Sequence, residues 1–205
     1  MNVRSAATTM QTRATTPEAT QAKREAILDA ALTLFAERGY HGTAVPAIAQ
    51  AAGVGAGTLY RYFESKEQLV NALFVREKER IVGYVMADFD PGRPPRDQFH
   101  HFWTRIVGYA REHREAFHFL EHHHHAPYLD GSSRALEDRV IGMATTVIQQ
   151  IQAIRVFKPV APQALMMLVW GTIVMLMKEH FRGVCPLTEQ LVEQTESLCW
   201  EAIRL

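Results

Sequence analysis

Residues 45–66, VPAIAQAAGVGAGTLYRYFESK, constrain the fold more than any other part of the chain. Ile48, Ala49, Gly53, Val54, Leu59 and Tyr62 fall where two helices crossing at a steep angle need apolar contacts, one small contact and a turn glycine. Ala49 lets the helices approach, and Gly53 takes the positive φ that a β-carbon resists. The second helix of such a pair leaves at the angle that presents it to a DNA groove, so function is to be sought on its exposed side.

Around this stretch the pattern is helical throughout, and the expected class is all-α. Ile27, Ala30, Ala31, Leu34 and Phe35 recur at helical spacing, with Gly39 as the stop. Ser65, with Gln68 three residues on, reads as a capping box for a helix through Leu69, Leu73 and Val75 toward Val85. The Pro- and Gly-rich residues 90–95 form a loop. Phe99, Phe102, Trp103, Ile106 and Ala110 then make an aromatic stripe, and a short segment at residues 115–125 precedes Pro127. A longer helix at about residues 133–157 is expected to bury Leu136, Val140, Met143, Val147, Ile151 and Ile154.

Residues 164–177 are apolar around the whole helical circumference, apart from Gly171 and Thr172. Such a helix must be covered on every side. It is short for a membrane span, which needs about 20 apolar residues, and it runs into Lys178, Glu179, His180 and Arg182. The expectation is one face on its own core and the other on a second subunit, with no membrane. A final helix capped by Thr188, carrying Leu191, Thr195, Leu198, Cys199 and Ala202 on one stripe, completes that interface.

Formal net charge is zero over 205 residues, so any DNA affinity has to come from local Lys and Arg and from helix dipoles. Cys185 and Cys199 make no disulfide framework and suit a reduced cytoplasm. Residues 1–20, rich in Ala, Thr, Gln and Arg, read as a disordered arm. There Arg4 and Arg13, with Lys23 and Arg24 beyond it, either touch phosphates or stay solvated.

A wider set of residues resembles the tetracycline-repressor (TetR) family of bacterial transcription regulators. It comprises Ala26-Ile27-Leu28-Asp29-Ala30-Ala31, Leu34-Phe35, Gly39-Tyr40, Thr43, Ile48-Ala49, Ala52-Gly53-Val54, Gly57-Thr58-Leu59-Tyr60, Phe63 and Ser65-Lys66-Glu67. The resemblance implies an N-terminal helix-turn-helix DNA-binding domain at residues 21–66 and a C-terminal helical ligand-binding and dimerisation domain at residues 67–205. It implies a homodimer through the last two helices. The protein would be a repressor released from double-stranded, pseudopalindromic operator DNA by a small-molecule effector, apolar or aromatic, with no cofactor.

If Gly55 begins the recognition helix, its free amides and those of Ala56 and Gly57 face a phosphate. Ala56 and Thr58 are small enough to touch a thymine methyl, and Thr58 adds a hydroxyl. Arg61 reads guanine or holds a phosphate, its place near the helix end favouring the phosphate. Tyr60, Tyr62 and Lys66 match positions that contact the DNA backbone in similar proteins. Thr43 donates to a phosphate or, the favoured reading, caps the preceding helix. Ala44, Gly55 and Ala56 depart from the family pattern, each removing a donor, so recognition leans on backbone amides, Tyr60, Lys66 and dimerisation.

Candidate effector-pocket walls are Tyr84, Phe102, Trp103, Ile106, Phe117, His118, Met143, Val147, Met166 and Trp170. Each also suits ordinary core. His118, His122 and His125 lie at helical spacing and raise a metal-responsive alternative. Four consecutive histidines point all round a helix, however, and no Cys pair or H-E-x-x-H spacing accompanies them. A His-dependent helical enzyme is the remaining rival, without a nucleotide loop or nucleophile elbow to support it.

Overall fold

Side-chain caps at Thr16, Ser65, Asp130 and Thr188 start four of the helices of this chain. The computed structural model describes residues 16–123 and 126–205. Among the described residues run α1 (Pro17–Gly42), α2 (Val45–Ala51), α3 (Ala56–Tyr62), α4 (Lys66–Met86), α5 (Pro95–Glu112), α6 (Arg114–His123), α7 (Gly131–Ala153), α8 (Pro162–Phe181) and α9 (Glu189–Ile203), with no strand. One isolated antiparallel bridge joins Phe157 to Arg204.

The Thr16 hydroxyl accepts from the Ala19 amide at 3.3 Å, and Pro17 occupies the first helical turn. Residues 17–20, assigned to the arm by composition, are therefore helical, because cap and proline together nucleate the turn. Residues 1–15, with Arg4 and Arg13, lie outside the described residues. Gly39 stops regular helix as expected, with φ 67° and ψ 174°, and the kink frees carbonyls in the turn before it. The Thr43 hydroxyl donates to two of them, Leu34 O at 3.0 Å and Gly39 O at 2.8 Å.

Gly53 turns the chain between α2 and α3 at φ 67°. This turn brings Ile48, Ala49, Leu59 and Phe63 into one buried cluster with Ile27, Leu28, Ala31 and Phe35 of α1. The first three helices thus form a head whose buried residues are continuous with those of the rest of the chain. At the start of α4 the Ser65 hydroxyl accepts from the Gln68 amide at 3.1 Å. The Gln68 side chain reaches back to the Glu64 amide at 2.6 Å, one residue beyond the usual capping-box partner.

α4 also packs on α5, α6 and α7, and α5 packs on α8 and α9. On α7 Leu136 and Ile151 are buried as expected, and Val140 and Val147 are half-buried. Met143 and Ile154 are exposed instead, and α7 ends at Ala153, before the expected Phe157. The chain turns there with Arg155 at φ 59°. α7 finds its main neighbours in α4 and α8, so only the side facing them is covered.

α8 has 20 residues, long and apolar enough to cross a membrane by length and composition. In this fold Leu165, Val169, Ile173 and Met177 are buried against the body. The opposite face carries exposed Met167, Leu168 and Met175, and on α9 Leu198 is 70% exposed.

Head and body meet where the α6–α7 connection crosses the start of α4. Asn71, buried on α4, donates to Tyr128 O at 2.9 Å and Glu67 O at 2.8 Å. Its Oδ1 accepts from the Asp130 amide at 2.8 Å and the Ser133 hydroxyl at 2.7 Å. All the amide's hydrogen-bonding capacity is used between these two segments. Beside it, Tyr128 stacks on Tyr40 with ring centroids 4.0 Å apart and places its hydroxyl 2.6 Å from His123 Nδ1.

His123 is buried and stacked on Phe119 at 4.3 Å, and burial pushes its pKa from the ordinary 6.5 down to about 4, with His122 and His118 adding to the effect. A neutral imidazole then accepts the Tyr128 hydroxyl. A histidine depressed in the folded state stabilises fully above its unfolded pKa, and that contribution is lost as the pH falls toward the folded value. Between pH 6.5 and 4 it amounts to about 3 kcal/mol. Urea unfolding of wild type and His123→Phe at both pH values checks this. The wild type's stability relative to the variant should fall by that amount at the lower pH, and parallel pH profiles would disprove the buried neutral ring.

Candidate nucleic-acid interface

Leu59 anchors α3 in the head, only 1% exposed, and turns the other side of this short helix to solvent. Gly55, Ala56, Gly57, Tyr60 and Arg61 are exposed, and Thr58 and Tyr62 half-buried. The sequence-predicted recognition residues therefore share one protruding surface, small and uncharged at its start and bearing Arg61 in the last turn. Gly55 is the N-cap in extended conformation, and no side chain caps the helix. Ala44 likewise starts α2 without a side-chain cap. The first amides of both helices lack the side-chain acceptor that Ser or Thr would offer.

Thr43 does not belong to this surface. Its side of the chain is 1% exposed, and its hydroxyl is committed to the Leu34 and Gly39 carbonyls. It caps the preceding helix, and the reading as a phosphate contact is corrected on that ground.

Lys66, the first residue of α4, is half-buried, with Nζ 4.2 Å from the centre of the Tyr40 ring. Burial lowers its pKa, opposed by Glu67. The Tyr40 hydroxyl donates to Glu67 at 2.6 Å, which holds that carboxyl below its usual range. The ammonium is thus held against an aromatic face.

In the body, the expected pocket residues divide by environment. Trp103, Ile106 and Phe117 are buried, and Tyr84, Phe102, His118, Val147 and Met166 half-buried. Phe117 and Trp170 meet at 5.8 Å between ring centroids, joining α6 to α8. Met143, 54% exposed, stands outside and is no wall of an interior site. Tyr84 is tied up locally: its hydroxyl donates to Glu112 at 2.9 Å and its ring lies 4.2 Å from the Arg105 guanidinium.

Two donors of α5 stand out. Trp103 Nε1 and the Tyr109 hydroxyl are buried with no hydrogen-bond partner among the described residues. Tyr109 escaped sequence reasoning because an apolar stripe signals only that a ring is inside, and nothing in spacing reveals an unpaired hydroxyl.

Among the described residues the histidines do not converge on one point. His118 and His122 share a face, with rings 4.1 Å apart, but His123 turns inward. His124 and His125 lie outside the described residues, which removes the third member of the expected triplet from view. Among the described residues no group of three metal-ligating side chains converges.

Comparisons with known proteins agree with this geometry. Residues 27–73 match the family described as bacterial regulatory proteins, tetR family, and residues 74–205 match the tetracyclin repressor-like C-terminal domain. The chain is 39% identical over 85 residues to the HTH-type transcriptional repressor KstR of Rhodococcus jostii (strain RHA1). That alignment spans 42% of this chain and 39% of KstR, well short of the relative's length. The crystal structure of a TetR family transcription regulator from Marinobacter aquaeolei VT8 superposes with a TM-score of 0.83 and 26% identity, over 92% of this chain and 99% of that one. A putative TetR family regulator from Vibrio parahaemolyticus gives 0.73 and 28% over 89% and 99%.

A β-carbon at Gly55 would meet only the Thr58 hydroxyl oxygen, at 4.0 Å, so Ser fits there and can cap α3. Gly55→Ser should raise stability by a few tenths of a kcal/mol and preserve or tighten DNA binding, read by thermal melting and fluorescence anisotropy. A stable variant with a large loss of binding would instead mean that DNA approaches the backbone too closely for a side chain.

Proposed function

Since the chain belongs to the TetR family of bacterial transcription regulators, we propose that it is a homodimeric repressor that leaves its operator when a small apolar or aromatic effector binds the body. Its family and curated relatives are DNA-binding regulators, not enzymes. The observation that carries the reading is the exposed face of α3, which a buried Leu59 holds outward from a rigid head.

Gly55, Ala56, Gly57 and Thr58 approach the major groove, while Tyr60, Arg61, Tyr62 and Lys66 hold phosphates. With a net charge of zero and few cations on the head, one protomer binds weakly. Two heads spaced to match half-sites about 34 Å apart, or a multiple of it, provide the rest.

The exposed apolar side of α8 and α9 is the surface for the second copy. Met167, Leu168, Met175 and Leu198 are too many large apolar groups on these two helices to be left in water. Gly171 is exposed between them with open space around it, so a partner helix can approach closely. Such a dimer works in the cytoplasm, beside the DNA.

The effector enters among Phe102, Trp103, Ile106, Phe117, His118, Val147, Met166 and Trp170. An acceptor on the effector satisfies one of the two unpaired donors, Trp103 Nε1 or the Tyr109 hydroxyl. It acts by preferring the conformation whose heads miss the half-site spacing.

Selection of bound duplexes from a random pool tests the reading. Enrichment of a pseudopalindrome that candidate apolar ligands disrupt is the expected result, and binding without sequence preference would reject it. Leu198→Glu should convert dimer to monomer in sedimentation and cut affinity for the two-half-site duplex at least about tenfold, leaving a single half-site unaffected. A dimeric Leu198→Glu protein with full affinity would place the interface elsewhere.

A further inference from the structure

The Tyr40 ring lies between a cation and a second aromatic ring. Lys66 Nζ is 4.2 Å from its centre, and the Tyr128 ring is stacked on it at 4.0 Å with 20° between the planes. Two groups this close to one centroid cannot share a face, so Lys66 and Tyr128 occupy opposite sides. Tyr128 belongs to the α6–α7 connection, and its hydroxyl lies 2.6 Å from His123 Nδ1 at the end of α6. An unbroken chain of contacts runs from the last turn of α6 to the first residue of α4, with Tyr40, the end of α1, in the middle.

We infer that Tyr128 is a positioning residue for DNA binding, holding Tyr40 in place so that Tyr40 in turn presents Lys66 to a phosphate. This rests on the operator-binding reading. Tyr40 is also pinned at its hydroxyl by Glu67, at 2.6 Å, so ring and first turn of α4 move together. The backbone of the same connection is fastened one helical turn further along α4, where Asn71 donates to Tyr128 O at 2.9 Å and accepts from the Asp130 amide at 2.8 Å. The ring and the backbone of one turn thus grip both sides of the α4 start.

Phe35 of α1 and Phe119 of α6 lie against the His123 ring at 6.2 and 4.3 Å, so the imidazole is packed from head and body together. A displacement of α6 has a packed route to Lys66 that bypasses the recognition helix. The physical content is a contact chain with a defined order, which mutational coupling can verify.

The test uses full-length Tyr128→Leu, Tyr128→Phe, Lys66→Ala and the Tyr128→Leu/Lys66→Ala double variant, with urea unfolding to establish that each is folded. On a selected operator and an unrelated duplex, Tyr128→Leu should weaken binding to both by a similar factor. It should also lower the slope of log affinity against log salt by about 1 per protomer, as Lys66→Ala does. The double variant should lose no more than Lys66→Ala alone. Tyr128→Phe, which keeps the stack, should retain the wild-type slope.

An unchanged slope in Tyr128→Leu, or losses that multiply in the double variant, would overturn the assignment, since a merely structural role leaves the Lys66 contact independent. Amide hydrogen exchange of the free protein provides a readout that needs no DNA. Exchange over residues 63–70 should quicken in Tyr128→Leu and not in Tyr128→Phe, with residues 45–55 unaltered. If wild type binds no operator, quickened exchange still supports the positioning of α4 while the operator reading falls, and unaltered exchange overturns the positioning itself.

Discussion

The start of α4 is packed by the head and by the body at once. Leu69 and Val70 are both fully buried, and the helix they begin packs on α1 as well as on α5, α6 and α7. Its N-terminus is fixed by the Ser65 cap, and its polar side by Asn71, whose amide would be costly to bury without the four partners it has. Further along, Arg76 joins the same helix to α1 through Glu25 and Asp29 at 3.0 and 2.8 Å while neutralising buried Glu77. α4 is thus tied to the head by Arg76 and to the body by its packing on α5, α6 and α7.

The other half of the design is what the single chain leaves uncovered. α5 takes the buried sides of α8 and α9, and Glu196 of α9 is held there by Arg96 and His100, so these helices are firmly oriented on the body. Their outward apolar residues follow from that orientation. A helix apolar on all sides, packed here on α5, α7 and α9, still leaves part of its apolar surface in water.

Much of this was legible in residue order. The turn glycine Gly53, the stop at Gly39, and the caps at Ser65 and Thr188 act within a few residues of chain, where sequence neighbours are spatial neighbours. The recognition face was legible for the same reason, because Leu59 at helical spacing fixes which side of α3 goes inward. Thr43 was read two ways, and only the kinked end of α1, which frees two carbonyls beside its hydroxyl, decides between them. Met143 was misjudged because periodicity tells which residues share a face without telling whether that face has a neighbour.

The sequence by itself determined an all-α chain, a helix-turn-helix whose second helix starts with small uncharged residues, and an apolar helix in need of cover. These are consequences of backbone conformation and of hydrophobic spacing along single helices. Tertiary structure alone decided that His123 turns inward while His122 stays outside, that Tyr128 stacks on Tyr40, and that Asn71 ties residues 128–133 to α4. The contacts of Tyr128 with Tyr40 and of Asn71 with residues 128–133 join positions 57 or more residues apart in the chain, and they exist only where packed helices bring distant side chains within hydrogen-bond or van der Waals distance.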